Sequence, residues 1–142
     1  MFRIEKKGYV LPEAEIREVP GKGRGVFAKK KYERDELIER APTFTCDVSL
    51  IEDLYRFNDG RTIFHDYVFC NMGIAHVGMG WSSIYNHSSD NSAHWKVFND
   101  ENTVEIRARR TIEPGEEITI LYTNYDSNLW FECVESGESS ES

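Results

Sequence analysis

Glycine and proline divide this chain of 142 residues into segments that are too short for long helices. Residues 20–23 (PGKG) separate the alternating segment 16–19 from the apolar segment 26–28, and residues 113–116 (EPGE) precede the apolar segment 118–121. Alternating or apolar segments of this length between turn residues are typical of strands joined by tight connections. No internal repeat is visible in the sequence. The pattern therefore predicts a mainly β fold of short sheets with few short helices.

Three further segments fit the same prediction. Residues 36–41 are predicted to form a strand whose extension Pro42 limits. Residues 50–57 place apolar side chains at helical spacing, and Ser49 before them is the predicted N-cap of a short helix. Residues 103–109 alternate apolar and charged side chains as a half-buried strand does.

The composition fits one domain with a hydrophobic core, because 39% of the residues are hydrophobic and 13% are aromatic. We place this domain at residues 1–134 and expect the glutamate- and serine-rich residues 135–142 to be a disordered acidic tail. No apolar run is long enough to cross a membrane, and the first ten residues contain charges, so we expect a soluble, unprocessed protein.

Three cysteines without CxxC spacing predict neither a disulfide framework nor a cysteine metal site. Histidines 65, 76 and 94 also lack metal-ligand spacing, so no metal is predicted and they are taken as surface or core residues. Reduced thiols favour an intracellular location, in the cytoplasm or the nucleus.

The chain has a formal charge of −8, from 25 acidic and 17 basic residues. This charge argues against nucleic acid as a direct partner, since phosphate binding requires a positive surface. A basic protein or peptide partner fits better. An acidic surface that serves solubility alone is the alternative interpretation.

The stretch 81–95 (WSSIYNHSSDNSAHW) places Asn86, His87 and Ser88 after a glycine-rich approach and before the polar segment 89–92. Glycines let the backbone approach a ligand, and an Asn-His pair offers amide and imidazole groups at one point. These residues predict a binding corner. A plain turn has the same composition, and the triplet is also a formal N-glycosylation acceptor, which would require a secretory route.

Glycines 21, 23 and 25 alternate with Lys22 and Arg24 in the segment GKGRG. Such a segment brings backbone amides and positive charge to an anionic group such as a carboxylate or a phosphate. It lacks the features of a P-loop and of a dinucleotide fingerprint. A glycine-rich hairpin turn with solvated cations is the alternative interpretation.

Residues 21–28 (GKGRGVFA), 85–93 (YNHSSDNSA) and 113–125 (EPGEEITILYTNY) occur in an order that resembles the SET domain, the fold of many protein-lysine methyltransferases that use S-adenosylmethionine. The resemblance covers about residues 14–131. The segment GIAHVGMGWSSIYNHS and the absence of a post-SET cysteine cluster are most similar to minimal SET proteins of large viruses and some bacteria. One departure from the family is Asn91, which stands where proline is usual.

The resemblance implies a β-clip-like fold with a C-terminal pseudoknot, in which the segment ending at Tyr122 crosses residues 86–88. It also implies a cofactor site. Residues of the GKGRG segment would contact the methionine part of the cofactor, and the Asn-His pair would hold its amino and adenine groups; these residues are Lys22, Gly23, Arg24, Gly25, Asn86 and His87.

By the same resemblance, Tyr122 matches the catalytic tyrosine, and Tyr125 and Tyr67 match walls of the channel that admits lysine. Tyr67 lies in an aromatic run that is also typical of a core strand. Trp130 or Phe131 would fold over the adenine in place of the missing cysteine cluster, and a simple role in closing the core is the alternative.

The function implied is transfer of a methyl group from S-adenosylmethionine to a lysine of a basic protein tail, histone or histone-like. A non-catalytic SET module that binds a peptide or protein, and methylation of a small molecule, are the competing hypotheses. Similarity to the minimal viral members implies a homodimer.

Overall fold

A computed structural model describes residues 8–57 and 68–121. Within these ranges the chain forms short strands, one helix and one 3₁₀ turn, and the predicted mainly β fold is confirmed. The elements are β1 Ala14–Val19, β2 Gly23–Ala28, β3 Leu37–Asp47, α1 Val48–Phe57, β4 Val68–Asn71, β5 Ile74–Gly78, a 3₁₀ turn Trp81–Ser83, β6 Asn86–His87, β7 Ala93–Phe98, β8 Thr103–Ala108 and β9 Glu117–Ile120.

The strands form a four-stranded sheet in the order β1-β2-β9-β6 and a five-stranded sheet in the order β4-β5-β3-β8-β7. All neighbours are antiparallel except β6 and β9, which are parallel. Apolar side chains of both sheets meet in one core, and those with no exposed surface include Val26, Ile38, Val104, Ile106, Ile118 and Ile120. Burial of branched side chains on both sheets stabilises the packing of one sheet against the other.

Strand β3 is longer than the sequence predicts, and the prediction that Pro42 limits it is wrong. Its first half, up to Pro42, pairs with β8, and its second half, from Thr43, pairs with β5. Pro42 lies where the partner changes, and its carbonyl accepts the N–H of Met79 at 2.9 Å. A proline is tolerated at this junction because the ladder is interrupted there in any case.

A β-bulge shifts the register of β3 against β8 between Leu37 and Glu39. In a regular strand, consecutive side chains point to opposite faces, so a buried Ile38 would leave its neighbour on the other face. Here both Ile38 and Glu39 have no exposed surface. The chain thus buries a carboxyl group that strand alternation alone does not predict.

Helix α1 begins at Val48, so the predicted N-cap at Ser49 is wrong. The N–H of Ser49 donates instead to Asp47 Oδ1 at 2.9 Å, and a side chain that accepts from the first turn is what defines a cap. Val48 and Ile51 pack with Cys70 and Ala75 in a second, smaller apolar cluster.

Two turns, at residues 33–36 and 113–116, are built alike, although no repeat is visible in the sequence. In each turn the last N–H donates to the carbonyl of the first glutamate at 3.0 Å. The last glutamate accepts the N–H of the first at 2.9 Å in one turn and at 3.0 Å in the other. Tyr32 and Ile112, which precede the turns, exchange backbone hydrogen bonds of 2.9 and 2.8 Å. The two turns therefore lie on either side of one backbone bridge.

Candidate active site

The predicted binding corner lies where β6 joins the four-stranded sheet. Asn86 and His87 pair in parallel with Thr119 and Ile120, and the N–H of Ser88 donates to the carbonyl of Ile120 at 3.0 Å. Parallel pairing between such short segments cannot arise from a hairpin and requires distant parts of the chain to meet. The contact implied by the SET resemblance, between residues 86–88 and the segment that leads to residue 122, is present up to Ile120.

Strand β9 also pairs with β2 on its other side, through Val26 with Ile118 and Phe27 with Glu117. This arrangement brings the glycine-rich strand within reach of the Asn-His pair across a single strand. Asn86 Nδ2 donates to Glu117 Oε2 at 2.7 Å. A Cβ atom on Gly25 would lie 2.5 Å from that carboxylate oxygen and 2.9 Å from Asn86 Nδ2. Glycine is therefore required at position 25 because the Asn86–Glu117 hydrogen bond fills the space beside its backbone.

The four predicted residues of the GKGRG segment divide into two groups. Lys22, Gly23 and Arg24 are exposed, whereas Gly25 is buried against the corner. The N–H of Lys22 donates to the carbonyl of Val19 at 3.0 Å and closes the hairpin between β1 and β2. The structure thus brings together Gly25 and Asn86, and it leaves the two cations at the surface. His87 is half-buried beside Ile120.

A buried carboxyl group supports the segment that leads into the corner. Glu39 accepts the backbone N–H of Trp81 at 2.7 Å and the hydroxyl of Tyr85 at 2.8 Å. Gly80 lies so close that a Cβ atom there would overlap the Glu39 carboxylate. Glu39 and Tyr85 are both almost fully buried, and Tyr85 directly precedes Asn86. One carboxyl group of the five-stranded sheet therefore holds both ends of residues 81–85.

Burial raises the pKa of Glu39, and the two hydrogen bonds that it accepts only partly oppose this shift. Burial and the neighbouring Glu39 carboxyl also raise the pKa of Tyr85 well above its usual value. Tyr85 therefore keeps its phenol proton and remains a donor to Glu39.

The polar segment 88–92 is fastened to β9 by a reciprocal pair of hydrogen bonds. Ser92 N–H donates to Thr119 Oγ1 at 3.1 Å, and Thr119 N–H donates to Ser92 Oγ at 2.9 Å. Asn91, which stands where the family usually has proline, is buried and its Nδ2 donates to the carbonyl of Ala93 at 2.7 Å. The side chain of Asn91 thus closes the turn locally, as asparagine commonly does.

The end of β9 is held by a tryptophan. Trp95 Nε1 donates to the carbonyl of Leu121 at 3.1 Å, and the Trp95 ring packs against Phe69 with their centroids 4.8 Å apart. Leu121 is the last described residue of the chain. The predicted catalytic Tyr122 follows it, and this residue and the other aromatic candidates, Tyr67, Tyr125 and Trp130, lie outside the described residues together with the acidic tail.

Residues 8–57 and 68–121 contain no group of three or more His, Cys, Asp and Glu side chains that could hold a metal ion. His76 is a core residue. Its Nδ1 lies 2.8 Å from Thr43 Oγ1 and its Nε2 lies 2.7 Å from Asn99 Oδ1. In the same ranges, the structure has no helix of the length and apolar character needed to span a membrane.

The family model of the SET domain matches residues 23–123, which is more than half of the chain. This protein belongs to the SET domain family. A protein of Schizosaccharomyces pombe named histone-lysine N-methyltransferase, H3 lysine-37 specific, is 29% identical over 126 residues, which cover 88% of this chain and 81% of that protein.

Two solved structures have the same fold. A Plasmodium falciparum protein described as a histone methyltransferase is 24% identical, with a TM-score of 0.60 over 80% of this chain and 95% of that one. The Polycomb Repressive Complex 2 of Chaetomium thermophilum, autoinhibited and bound to S-adenosylmethionine, is 21% identical with a TM-score of 0.64. That match covers 89% of this chain and 17% of the larger one.

Reasoning from the sequence missed two polar residues of this site, Glu39 and Glu117. Both lie in segments that read as ordinary half-buried strands with an outward charge. The glycines at positions 25 and 80 were the available signal, because each glycine marks a place where a carboxylate lies against the backbone.

Proposed function

We propose that this protein transfers a methyl group from S-adenosylmethionine to the ε-amine of a lysine in a basic protein tail, such as that of a histone. The observation that carries the proposal is the SET match over residues 23–123, which includes the Asn-His corner and Tyr122. The similarity to a protein named as a histone-lysine N-methyltransferase supports lysine as the acceptor and histone as the kind of substrate.

The described residues fit the cofactor. The amide oxygen of Asn86 has no hydrogen-bond partner within residues 8–57 and 68–121, and the amide nitrogen of the same side chain lies beside the buried backbone of Gly25. An acceptor of this kind suits the ammonium group of the cofactor's amino-acid part. When bound, S-adenosylmethionine supplies a methyl group on a positive sulfur. Gly25, Asn86 and His87 would hold it, with the exposed Lys22, Gly23 and Arg24 at the mouth of the site.

The lysine that accepts the methyl group must be neutral, whereas free lysine has a pKa of about 10.4. Desolvation in a channel lined by Tyr67 and Tyr125 would lower this pKa, and a nearby positive charge would act in the same direction. The phenol of Tyr122 suits positioning of the amine better than proton removal, because a phenol with a pKa of about 10 is mostly protonated at neutral pH. Alignment in a dry channel would supply most of the acceleration.

The net charge of −8 supports a basic tail as the substrate. Capture by this charge predicts an affinity for the tail that falls as salt rises. A histone substrate would place the protein inside the cell, in the nucleus or in the cytoplasm where histones are made. A homodimer, in which a second copy completes the pocket, is part of the proposal and is tested by sedimentation.

The proposal is tested by transfer of a labelled methyl group to histone-tail peptides and other basic proteins, with the modified residue read by mass spectrometry. We expect a methylated lysine with the wild type and a loss of about 100-fold with Tyr122→Phe, because the hydroxyl no longer aligns the amine. S-adenosylmethionine affinity, measured by calorimetry, should stay within threefold.

Tyr9→Phe is the matched control, since Tyr9 is 63% exposed, and it should retain full turnover. Undiminished turnover in Tyr122→Phe would remove that residue from its role. Cofactor binding by the wild type without transfer to any substrate would favour the non-catalytic module.

A further inference from the structure

Glu117 stands out among the acidic residues because it contacts Asn86 of the predicted binding corner and pairs with no cation in the described part of the chain. Its Oε2 accepts the amide N–H of Asn86 at 2.7 Å, and no Lys or Arg pairs with it among the described residues. The other glutamate of this connection, Glu116, has Arg110 at 2.5 Å. Glu117 is held in place by the antiparallel pairing of its backbone with Phe27 and by its carbonyl, which accepts the hydroxyl of Ser92 at 3.0 Å.

The contact fixes which end of the Asn86 amide faces the ligand. An asparagine side chain presents either an oxygen or an NH₂ group when it rotates by half a turn, and only its hydrogen-bond partners decide between them. An ionised carboxylate accepts and does not donate, so Glu117 selects the orientation in which Asn86 Nδ2 points to it. The oxygen, Asn86 Oδ1, is then the end that is left for the ligand.

The Asn86 and Glu117 side chains pack directly beside the backbone of Gly25. The space that a Cβ atom would need at residue 25 contains Glu117 Oε2, Asn86 Nδ2 and a methyl carbon of Val19. The hydrogen-bonded pair therefore lies against a buried backbone, and both of its side chains are half-buried. A charge-assisted hydrogen bond in such a place is stronger than one between neutral groups.

We propose that Glu117 is a positioning residue that orients the Asn86 amide so that its oxygen accepts from the ammonium group of bound S-adenosylmethionine. This inference rests on the proposed function, because it takes that cofactor as the ligand. It adds a role for Glu117 beyond the contacts of the Asn-His pair. The negative charge of Glu117, one side chain behind Asn86, also favours a cationic group at this point.

The test compares two ligands that differ by one group. S-adenosylhomocysteine contains the ammonium group, and its desamino analogue retains the adenosine, the thioether and the carboxylate. Calorimetry would measure both against the wild type and Glu117→Gln. Glutamine has the same shape, but it has no charge and donates as well as accepts, so it no longer selects one amide orientation. We expect about a tenfold loss of affinity for S-adenosylhomocysteine and a change within twofold for the analogue.

One further variant separates the contact of Glu117 from its charge, and another is a control. Glu117→Asp keeps the charge but shortens the reach, and it should show the same selective loss. Glu113→Gln, which changes an exposed carboxylate of the neighbouring turn, should bind both ligands as the wild type does. Thermal unfolding of each variant would show that it is folded.

Equal losses for the two ligands in a folded Glu117→Gln would assign Glu117 a merely structural role and overturn the inference. Unchanged binding of both ligands would overturn it as well. A wild type that binds neither ligand would overturn the proposed function together with this inference, and the two failures are thereby told apart.

Discussion

Glu39 and Glu105 are two buried carboxyl groups on adjacent strands of the same sheet, and they are satisfied in opposite ways. Glu39 has no exposed surface and Glu105 is 5% exposed. Glu105 lies opposite Arg40, which binds it through Nε at 2.9 Å and Nη2 at 2.8 Å, and Arg107 binds it at 3.1 Å. Glu39 receives only uncharged donors, from Trp81 and Tyr85.

The pKa values of the two groups shift in opposite directions. Burial raises the pKa of both carboxyls. At Glu39 the hydrogen bonds do not cancel this effect, and the pKa stays above its usual value. At Glu105 the hydrogen bonds and charges of Arg40 and Arg107 outweigh burial, and the pKa is lowered. Burial alone therefore does not decide the direction of the pKa shift of a carboxyl group here, whereas the charge of its partners does.

The largest effect is expected when Glu39 is removed. Glu39→Ala leaves a cavity and strands the Trp81 N–H and the Tyr85 hydroxyl without an acceptor, and we expect a loss of about 3 kcal/mol in the free energy of unfolding. Urea denaturation measures it. Glu101→Ala is the control, since that residue is exposed and should change stability by less than about 0.5 kcal/mol. Equal midpoints for the two variants would show that Glu39 does not hold residues 81–85.

A smaller loss in the free energy of unfolding is expected when Glu105 is changed. Glu105→Gln keeps the shape but removes the charge that faces Arg40 and Arg107, and it should cost about 2 kcal/mol by the same measurement. Glu39→Gln should cost less, about 1 kcal/mol or below, because no cation loses its partner and glutamine can both donate and accept. A larger loss of unfolding free energy in Glu39→Gln than in Glu105→Gln would contradict this prediction.

The smallest effect is the pH dependence, and it has opposite signs at the two sites. A raised folded pKa at Glu39 gives stability that is present below the unfolded pKa of about 4.5 and is lost as pH rises through the folded pKa. A lowered folded pKa at Glu105 gives stability that is present above about 4.5 and is lost as pH falls through the folded pKa.

The free energies of unfolding of the Glu39→Gln and Glu105→Gln variants, measured between pH 3 and pH 7, should therefore diverge. We expect each difference from the wild type to change by about 1 kcal/mol or less over this range. Relative to the wild type, Glu39→Gln should gain stability as pH rises, whereas Glu105→Gln should lose it. Parallel curves for the two variants would mean that their protonation does not differ between the folded and unfolded states.

The elements that the sequence predicts well are those with local causes. The turn at residues 113–116 and the strand from Thr103 follow from proline, glycine and simple alternation, and the structure contains both. The burial of Glu39 follows from a bulge, which shifts the face of a side chain without any change in composition. The start of helix α1 lies two residues before the predicted one because Asp47 and Ser49 are both good caps, and only the backbone path selects Asp47.

The candidate site likewise contains residues that the sequence identifies and contacts that it does not. Gly25 and Asn86 are recognisable as a glycine-rich strand and a polar corner, but nothing local says that they meet. Their meeting depends on β9, which lies between β2 and β6. The family resemblance, rather than any periodicity, implied that residues 86–88 contact the segment that contains β9. Glu117 has no signal of its own because its role depends on a neighbour from a distant segment.

The position of β9 in its sheet has a consequence for the order of folding. β2 is near the beginning of the chain and β9 near its end, and β9 has β2 on one side and β6 on the other. Closing so long a loop is slow and entropically costly, so these contacts should form late. On the ribosome, Asn86 emerges before its partner Thr119, and the corner cannot be completed until residue 120 is free to pair. A nascent chain therefore remains without the completed Asn-His corner until residue 120 has been synthesised.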